Sequence, residues 1–370
     1  MKVAVPKETV VGERRVALTP EAAAALVKAG MEIQVEAGAG DGSFHPDAAY
    51  EKSGARIVPD AGDLYAGSDV VVKVQKPSPA EVDRLGEGTV LVALLQALSS
   101  PDLVQQLAAR KVTSFGMEGI PRISRAQKMD ALSSQANISG YKAVLIAAES
   151  LPKFFPMAMT AAGTVFAARV LVIGAGVAGL QAIATARRLG AQVWGYDVRA
   201  AVKEQVESLG ASFLELDVEG AEGVGGYAVA LSDDEHEREQ ELLALHAGES
   251  DAVVTTALIP GRPAPLLLTE GAVAAMAPGS VIVDLAAEMG GNCALTEPGQ
   301  TVVRDGVTII GETNLPSTMP FHASQMYSRN VSSFLGLLVR EGELVFDFED
   351  EIVRETCVTH DRKVLKEATA

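Results

Sequence analysis

The stretch Arg169-Val-Leu-Val-Ile-Gly174-Ala-Gly176-Val-Ala-Gly179 decides the fold of this chain. Its apolar run predicts a buried strand, and its glycines have the spacing Gly-x-Gly-x-x-Gly that opens the helix of a dinucleotide-binding βαβ unit. The first glycine permits a tight turn, the second lets the backbone approach a pyrophosphate, and the third lets helix and strand pack closely. The helix that follows presents N–H groups and a positive dipole end to phosphates. An ordinary glycine-rich turn has the same pattern, so the flanking residues decide between the two interpretations.

The residues after these glycines favour the nucleotide interpretation. The run Ala191-Gln-Val-Trp-Gly-Tyr-Asp197 predicts a second strand ending in a carboxylate about 20 residues further on, where such a group accepts hydrogen bonds from a ribose. The charge of Asp197 would repel a 2′-phosphate, which favours NAD(H) over NADP(H). Arg199 could neutralise a 2′-phosphate, but a solvated or phosphate-side charge is the better interpretation while Asp197 is present.

Length and composition limit the class of protein. A chain of 370 residues with 48% hydrophobic residues predicts two domains with aliphatic cores. The formal net charge of −17 argues against nucleic-acid partners and against direct adsorption to an anionic lipid surface. Cys293 and Cys357 are too few for a disulfide framework, and the N-terminal residues lack the apolar segment of a signal peptide, which together predict a cytoplasmic setting.

Metal binding and membrane insertion are not predicted. None of the five histidines has metal-ligand spacing with cysteine or carboxylate side chains. The weakly polar stretch 155–186 is interrupted by Arg169, so a buried strand followed by a helix explains it better than a membrane span. Any work at a membrane would therefore require docking on another subunit.

Alternating strand and helix signals predict an α/β fold with two doubly wound parallel-sheet (Rossmann-like) domains joined by long helices. Residues 1–135 plus 317–370 are predicted to form an N-terminal α/β domain completed by the C-terminal tail, and residues 136–316 a nucleotide-binding Rossmann domain. Helices are predicted from Thr19 as N-cap to Gly30, from Pro101 to about residue 110, and over 130–151 and 323–339. Strands are predicted at 2–5, 32–36, 69–74, 89–94, 112–115, 212–216, 251–255, 281–285 and 307–310.

The segment 215–249 breaks this pattern. It holds eleven acidic residues against the single base Arg238, and four glycines precede Tyr227. Composition favours a solvated loop followed by an exposed helix. The functional alternative is a mobile lid that lays Tyr227 over a bound nucleotide.

A second polar segment precedes the glycine pattern. From Gln127 onward, helical spacing puts Gln127, Asp130 and Ser134 on one face, with Ser133 beside it. An amide, a carboxylate and hydroxyls can bind a carboxamide and a ribose, and Arg122 could hold the carboxylate in place. A polar hinge between domains explains the same pattern equally well without further information.

Long motifs run through nearly the whole chain. Those at 6–8, 13–20, 36–40 and 290–293 resemble the superfamily shared by alanine dehydrogenases and nicotinamide nucleotide transhydrogenases. The more specific motifs resemble the NAD(H)-binding component, domain I, of proton-translocating NAD(P)+ transhydrogenase. They are Arg122-Ile-Ser-Arg-Ala-Gln127, Met129-Asp130, Ser133-Ser-Gln135, Met159-Thr-Ala-Ala-Gly-Thr164, Gly174-Ala-Gly-Val-Ala-Gly-Leu-Gln-Ala-Ile-Ala-Thr-Ala186 and Thr255-Thr-Ala-Leu-Ile-Pro-Gly261.

This resemblance implies a set of nucleotide contacts. The nicotinamide and its ribose would be positioned by Arg122, Gln127, Asp130 and Ser133, with Ile123 and Ser124 beside them. The pyrophosphate would lie on Gly174, Ala175, Gly176, Val177 and Gly179, and the adenosine ribose on Asp197, next to Val198 and Arg199. Gly226 and Tyr227 match the mobile loop of the family, and Leu258 lies in the loop that follows the fourth strand and closes on the nucleotide.

The resemblance also implies partners. NAD(H) would be the cofactor of this chain, and NADP(H) would be bound on a separate NADP(H)-binding component. A membrane-spanning subunit would couple hydride transfer to proton translocation and would hold this chain at the cytoplasmic face of the inner membrane. Members of the family form homodimers, and the same is expected here.

Two departures from alanine dehydrogenases bear on the chemistry. Those enzymes carry a lysine that holds the substrate carbonyl and a histidine that acts as acid and base, and the matching positions here are Gln75 and Gln96. Neither glutamine can exchange a proton. Oxidation of an amine or alcohol moves a proton along with the hydride, whereas transfer between two nicotinamides requires only apposition of the rings. These residues favour transhydrogenation over an NAD-dependent alanine dehydrogenase-like activity, and a nucleotide-sensing protein without turnover is a third possibility.

Overall fold

The structure is a computed structural model that describes residues 1–216, 231–259 and 262–366. Gly226 and Tyr227 lie outside these residues. The chain forms two compact units: unit 1 comprises Met1–Gln135 and Pro316–Ala370, and unit 2 comprises Ala136–Leu315. Unit 2 therefore contains the glycine pattern, and unit 1 contains the polar segment around Gln127.

The N-terminal portion of the chain alternates strands with helices because buried β-branched runs are separated by helical segments with Pro, Ser or Asp at their starts. The strands are β1 (Lys2–Val5), β2 (Glu32–Glu36), β3 (Arg56–Val58), β4 (Val70–Val72), β5 (Val90–Ala93) and β6 (Thr113–Gly116). The helices are α1 (Pro20–Lys28), α2 (Asp47–Lys52), α3 (Ala61–Ala66), α4 (Pro79–Val82) and α5 (Pro101–Ala109), and α6 (Ala131–Ser150) begins in unit 1 and continues in unit 2.

Unit 2 continues the alternation after a short hairpin. Its strands are β7 (Ala158–Thr160), β8 (Gly163–Val165), β9 (Arg169–Ile173), β10 (Gln192–Tyr196), β11 (Ser212–Leu214), β12 (Ala252–Thr255), β13 (Val281–Asp284), β14 (Thr301–Arg304) and β15 (Val307–Ile310). The helices that the structure describes in this unit are α7 (Val177–Arg188), α8 (Lys203–Ser208), α9 (Asp233–Gly248) and α10 (Glu270–Ala274).

The C-terminal tail belongs to unit 1. It forms α11 (Pro320–Leu338), β16 (Val339–Arg340), β17 (Glu343–Leu344), α12 (Glu351–Thr356), β18 (Cys357–His360) and β19 (Lys363–Val364). Tyr327, Val331 and Phe334 on α11 are fully buried in the aliphatic core that also contains Val3 and Val72. The tail thereby completes the core of unit 1.

Both sheets are doubly wound, which confirms the predicted fold class. The sheet of unit 1 has the order β19-β18-β6-β5-β4-β1-β2-β3, and that of unit 2 has the order β11-β10-β9-β12-β13-β15-β14. Strands β1 to β6 pair in parallel, as do β9 to β13 with β15, and antiparallel strands lie at β14, β18 and β19. Strand order reverses between β1 and β4 and between β9 and β12, and ligands of such sheets bind at the carboxyl ends of these strands.

Two details of the predicted fold are wrong. Thr19 stands at the N-cap of α1, but its hydroxyl does not cap the helix and lies 3.1 Å from Ser328 Oγ. The fold prediction also joined the domains by long helices, whereas α11 lies wholly in unit 1 and only α6 spans the boundary. Among the described residues, no helix has the length and hydropathy needed to cross a membrane.

Candidate nucleotide-binding site

The glycine turn lies at the switch point of the sheet in unit 2, between the end of β9 and the start of α7. Gly174 has a φ of +97°, and a Cβ there would lie 2.5 Å from Thr256 Oγ1. A Cβ on Gly179 would lie 1.7 Å from the Gly174 carbonyl oxygen. Gly176 differs, because a Cβ there would meet no heavy atom within 4 Å. Packing of the chain therefore requires the first and third glycines, while the second leaves open space beside the backbone.

That open space fits the pyrophosphate of a dinucleotide. Gly176 and Val177 are exposed at the start of α7, where N–H groups of the first helical turn have no acceptor within the helix. The N–H of Ala175 is already used, since it donates to Asp197 Oδ2 at 2.8 Å. The amides left for phosphate are therefore those that follow Ala175.

Asp197 follows β10 and is tied to its neighbours more closely than predicted. Its carboxylate accepts hydrogen bonds from Ala175 N, Arg199 N, Arg199 Nε and Arg199 Nη2 at 2.7–2.9 Å. The Arg199 side chain is only 14% exposed. The interpretation of Arg199 as a solvated charge is thus wrong, because the guanidinium pairs with the carboxylate two residues before it. A ribose would have to share this carboxylate with Arg199.

The loop after β12 is attached to the glycine turn. Thr256 Oγ1 donates to the Gly174 carbonyl oxygen at 3.1 Å, and Thr256 N donates to the Ile173 carbonyl oxygen at 2.8 Å. Leu258, two residues later, is 45% exposed. The turn and the loop carrying Leu258 are therefore one connected structure at the carboxyl edge of the sheet.

Asp284 and Asn292 brace this loop from below. The fully buried Asp284 carboxylate accepts hydrogen bonds from Thr255 Oγ1, Ala286 N, Asn292 N, Cys293 N and Thr296 Oγ1 at 2.7–3.1 Å. Asn292 in turn exchanges hydrogen bonds with both backbone groups of Ala257. Asp284 is therefore a structural brace, as the strand-end interpretation of this residue has it.

The polar segment of unit 1 is not helical from Gln127 onward. A 3-10 helix spans Ser124–Met129, and α6 begins only at Ala131. Asp130 caps α6, because its carboxylate accepts hydrogen bonds from Ser133 N at 2.8 Å and from Ser133 Oγ at 2.6 Å. The prediction that Gln127, Asp130 and Ser134 share a helical face is therefore wrong.

The remaining predicted residues of this segment lie at the surface. Arg122, Ser124 and Gln127 are exposed, and Ile123 and Asp130 are half-buried. Ser134 Oγ instead donates to Asn330 Oδ1 on α11 at 2.7 Å. The structure thus brings Asp130 and Ser133 together, keeps Gln127 on the adjoining turn, and directs Ser134 to another helix.

The switch point of unit 1 is filled by buried charges. Lys73 Nζ lies 2.7 Å from Glu81 Oε1 and 3.3 Å from Glu8 Oε2, and Glu8 Oε1 accepts a hydrogen bond from Val74 N at 2.6 Å. Burial raises the pKa of Glu8. These side chains occupy the carboxyl ends of β1 and β4, where a ligand of this sheet would otherwise bind, so the glycine turn of unit 2 is the better candidate for a nucleotide.

Gln75 and Gln96 sit in settings without acid–base capacity of their own. Gln75 Nε2 donates to Glu13 Oε2 at 2.8 Å, and that buried carboxylate pairs with Arg15 at 2.6 Å. Gln96 has a φ of +50°, and Glu118 accepts hydrogen bonds from Leu95 N and Ala97 N on either side of it. Burial raises the pKa of Glu118, whose carboxyl group is used to hold the backbone.

Three residues of these networks were not identified from the sequence: Thr256, Asn292 and Asn330. Thr256 belongs to one of the quoted motifs, but nothing in a single threonine indicates that its hydroxyl holds a distant glycine turn. An asparagine inside the amphipathic run of α11 was a signal for Asn330, because asparagine is an unfavourable residue in a helix interior.

Known proteins resemble the chain over its full length. Models of the alanine dehydrogenase/PNT family match it twice, the N-terminal domain at residues 4–139 and the C-terminal domain at residues 143–367. One chain of NAD(P) transhydrogenase subunit alpha from Rhodospirillum rubrum is 50% identical over 378 aligned positions, which cover 100% of this chain and 98% of that protein.

One solved structure and one sister enzyme place these similarities in order. A transhydrogenase from Sinorhizobium meliloti matches the fold with a TM-score of 0.87 and 43% identity, over 98% of each chain. Alanine dehydrogenase 2 of Staphylococcus aureus is 32% identical over 86% of this chain and 82% of that enzyme. The similarity to the transhydrogenases is therefore the greater of the two.

Proposed function

The chain belongs to the alanine dehydrogenase/PNT family, alongside NAD(P) transhydrogenase alpha subunits, and on this basis we propose that it passes hydride between its own NAD(H) and NADP(H) held on a partner subunit. The observation that carries the proposal is the state of Gln75. This glutamine replaces a substrate-holding lysine and is hydrogen-bonded to the buried Glu13 carboxylate. A carbonyl substrate would find neither a proton donor nor a free contact there.

The proposed nucleotide contacts follow from the geometry of each unit. In unit 2, the turn Gly174, Ala175, Gly176, Val177 and Gly179 would hold the pyrophosphate, Asp197 with Val198 and Arg199 the adenosine ribose, and Leu258 the adjoining loop. In unit 1, Arg122, Ile123, Ser124, Gln127, Asp130 and Ser133 would position the nicotinamide and its ribose. Bound NADH supplies the hydride, and the chain supplies orientation without proton exchange.

The proposed partners are an NADP(H)-binding component and a membrane-spanning subunit that couples transfer to proton translocation. The relatives are named as subunits, which supports a multi-chain assembly. The proposed location is the cytoplasmic face of the inner membrane. Sedimentation with membranes only when the partner subunits are present would support this location, and sedimentation of the chain alone would contradict it.

The direct test is hydride transfer to a bound NADP+ analogue. The purified chain is mixed with NADH and an NADP(H)-binding partner domain, and reduction of the analogue is followed by absorbance. We expect transfer only when both proteins are present. NADH-dependent turnover of pyruvate and ammonia by this chain alone would instead show an alanine dehydrogenase, and NADH binding without either reaction would show a nucleotide-sensing protein.

Neutralising Asp197 is expected to weaken the preference for NADH over NADPH. Asp197→Asn removes a negative charge that opposes a 2′-phosphate, and it releases Arg199 from its ion pair. We expect the ratio of the NADPH and NADH dissociation constants to fall about tenfold, which corresponds to roughly 1.4 kcal/mol. Titration calorimetry with both nucleotides measures this ratio. Arg199→Gln, which keeps the carboxylate, is the control, and an unchanged ratio in Asp197→Asn would rule out the ribose role.

The hairpin β7–β8 supports the proposed homodimer. Residues 154–168 carry no charge, and Met157, Met159 and Phe166 are 58–79% exposed. An isolated two-stranded hairpin is only marginally stable in water, and exposed apolar patches mark interfaces. A second copy of this acidic chain could pack against an uncharged hairpin without repulsion between like charges.

Placing charge on the hairpin is expected to dissociate the dimer. In Met159→Lys with Phe166→Lys, two lysines would be buried without partners at the proposed interface. We expect the dimer dissociation constant, measured by analytical ultracentrifugation, to rise at least about 100-fold, or roughly 2.7 kcal/mol. Val303→Lys, on the exposed edge strand β14, should leave it unchanged. A wild-type monomer, or a dimer that survives both lysines, would exclude this interface.

A further inference from the structure

Asn330, on the buried side of α11, bridges the two ends of the polar segment in unit 1. Its Nδ2 donates to the Lys128 carbonyl oxygen at 2.9 Å, and its Oδ1 accepts a hydrogen bond from Ser134 Oγ at 2.7 Å. Asn330 is 7% exposed. Lys128 and Ser134 stand on opposite sides of Asp130, so one amide connects the turn that carries Gln127 to the helix start that carries Ser133.

The connection lies where the backbone has no regular structure of its own. The 3-10 helix ends at Met129, and Asp130 has a φ of −69° and a ψ of 89°, which is not helical. The ladder of helical hydrogen bonds is therefore interrupted between Gln127 and Ser133. Lys128 supplies its carbonyl oxygen to Asn330 instead, and this bond fixes the turn relative to α6.

The chemistry of the bridge requires an amide. A buried carbonyl oxygen needs a donor and the Ser134 hydroxyl needs an acceptor, and leaving either unmade costs stability. Asparagine offers both at this side-chain length, whereas aspartate lacks the donor when ionised and leucine lacks both. Tyr327, Val331 and Phe334 around it are fully buried, so an apolar residue would suit this region of α11 if packing alone mattered.

A second set of contacts supports the same helix start. Gln135 Nε2 donates to Ser134 Oγ and to the Ala323 carbonyl oxygen, each at 3.2 Å, and its Oε1 accepts a hydrogen bond from Arg15 Nη1 at 2.9 Å. These contacts fix α6 but do not reach the turn. Asn330 alone among these residues holds both sides of Asp130.

We propose that Asn330 is a positioning residue for hydride transfer: it sets the orientation of Gln127 relative to Asp130 and Ser133 without touching the nucleotide. The proposal rests on the function proposed above, because it assigns Asn330 to the same nicotinamide-holding segment. It predicts that loss of the bridge changes the rate of transfer much more than the affinity for NADH, since misorientation of reacting groups lowers the rate steeply.

The test compares Asn330→Ala and Asn330→Asp with Ser328→Ala. Ser328 lies on the same helix and contacts Thr19 Oγ1, so its replacement also removes a buried hydrogen bond of unit 1. We expect kcat for transfer to fall at least tenfold in both Asn330 variants, with the NADH dissociation constant within about twofold of wild type. Ser328→Ala should keep wild-type kcat. In Asn330→Asp, kcat relative to wild type should rise as pH falls, because a protonated carboxyl can donate to Lys128.

Hydrogen–deuterium exchange separates this proposal from the function on which it rests. Peptides covering residues 126–134 should exchange faster in Asn330→Ala than in Ser328→Ala, whether or not the protein transfers hydride. If the wild type shows no transfer but this exchange difference appears, the bridge stands and the proposed function fails. If exchange and kcat in Asn330→Ala match those of Ser328→Ala, the positioning role is overturned.

Discussion

Replacing Gly176 with valine is expected to abolish most NADH binding while leaving the fold intact. A Cβ at Gly176 meets no protein atom within 4 Å, so the valine side chain projects into the space assigned to the pyrophosphate. Displaced phosphates would lose hydrogen bonds to the first turn of α7. We expect a loss of about 2–3 kcal/mol, which is roughly a 30- to 150-fold rise in the NADH dissociation constant.

Gly179→Ala is the matched comparison, because its added Cβ would lie 1.7 Å from the Gly174 carbonyl oxygen. Overpacking of this kind costs about 1–3 kcal/mol, so this variant should unfold at lower temperature than wild type. Calorimetric titration with NADH and differential scanning calorimetry measure the two effects. Wild-type affinity in Gly176→Val would show that phosphates do not approach this turn. A lowered melting temperature in Gly176→Val would show that the space is not open.

The sheets could be predicted because central parallel strands are continuous apolar runs. The runs at Lys2–Val5 and Val307–Ile310 were predicted with the bounds that the structure has. Edge strands were missed: Arg56–Val58 is three residues long and only partly buried, and the hairpin strand Gly163–Val165 is fully exposed. Neither has the periodicity or length that distinguishes a strand in sequence.

The site was predicted where one local pattern determines it and missed where distant residues meet. Gly174 and Gly179 carry their own steric requirement, so their spacing alone indicates the turn. The pairing of Arg199 with Asp197 depends on the side-chain conformation, and charge alone did not distinguish it from a solvated arginine. The start of α6 was placed too early because helical spacing does not separate a 3-10 turn from an α-helix over a few residues. Asn330 lies far along the chain from Lys128, and a single sequence carries no signal of that contact.

Gln127→Leu is expected to slow hydride transfer about 100-fold, since small misplacements of reacting groups cost rates of this order. Gln127 is exposed on the turn Ser124–Met129, and we find no hydrogen-bond partner for its amide among the residues that the structure describes. Leucine preserves side-chain bulk and removes the donor and the acceptor. The glycine turn of unit 2 would still hold the pyrophosphate, so the NADH dissociation constant should stay within about threefold of wild type.

Single-turnover kinetics with a bound NADP+ analogue measure the transfer rate, and fluorescence titration measures NADH affinity. Gln106→Leu, an equally exposed glutamine on α5, is the control and should leave both unchanged. If affinity in Gln127→Leu falls as far as the rate, the side chain contributes equally to ground state and transition state and merely lines the pocket. A rate loss without an affinity loss is the result required by a chain that exchanges no proton, because orientation of the nicotinamide is then its main contribution to the reaction.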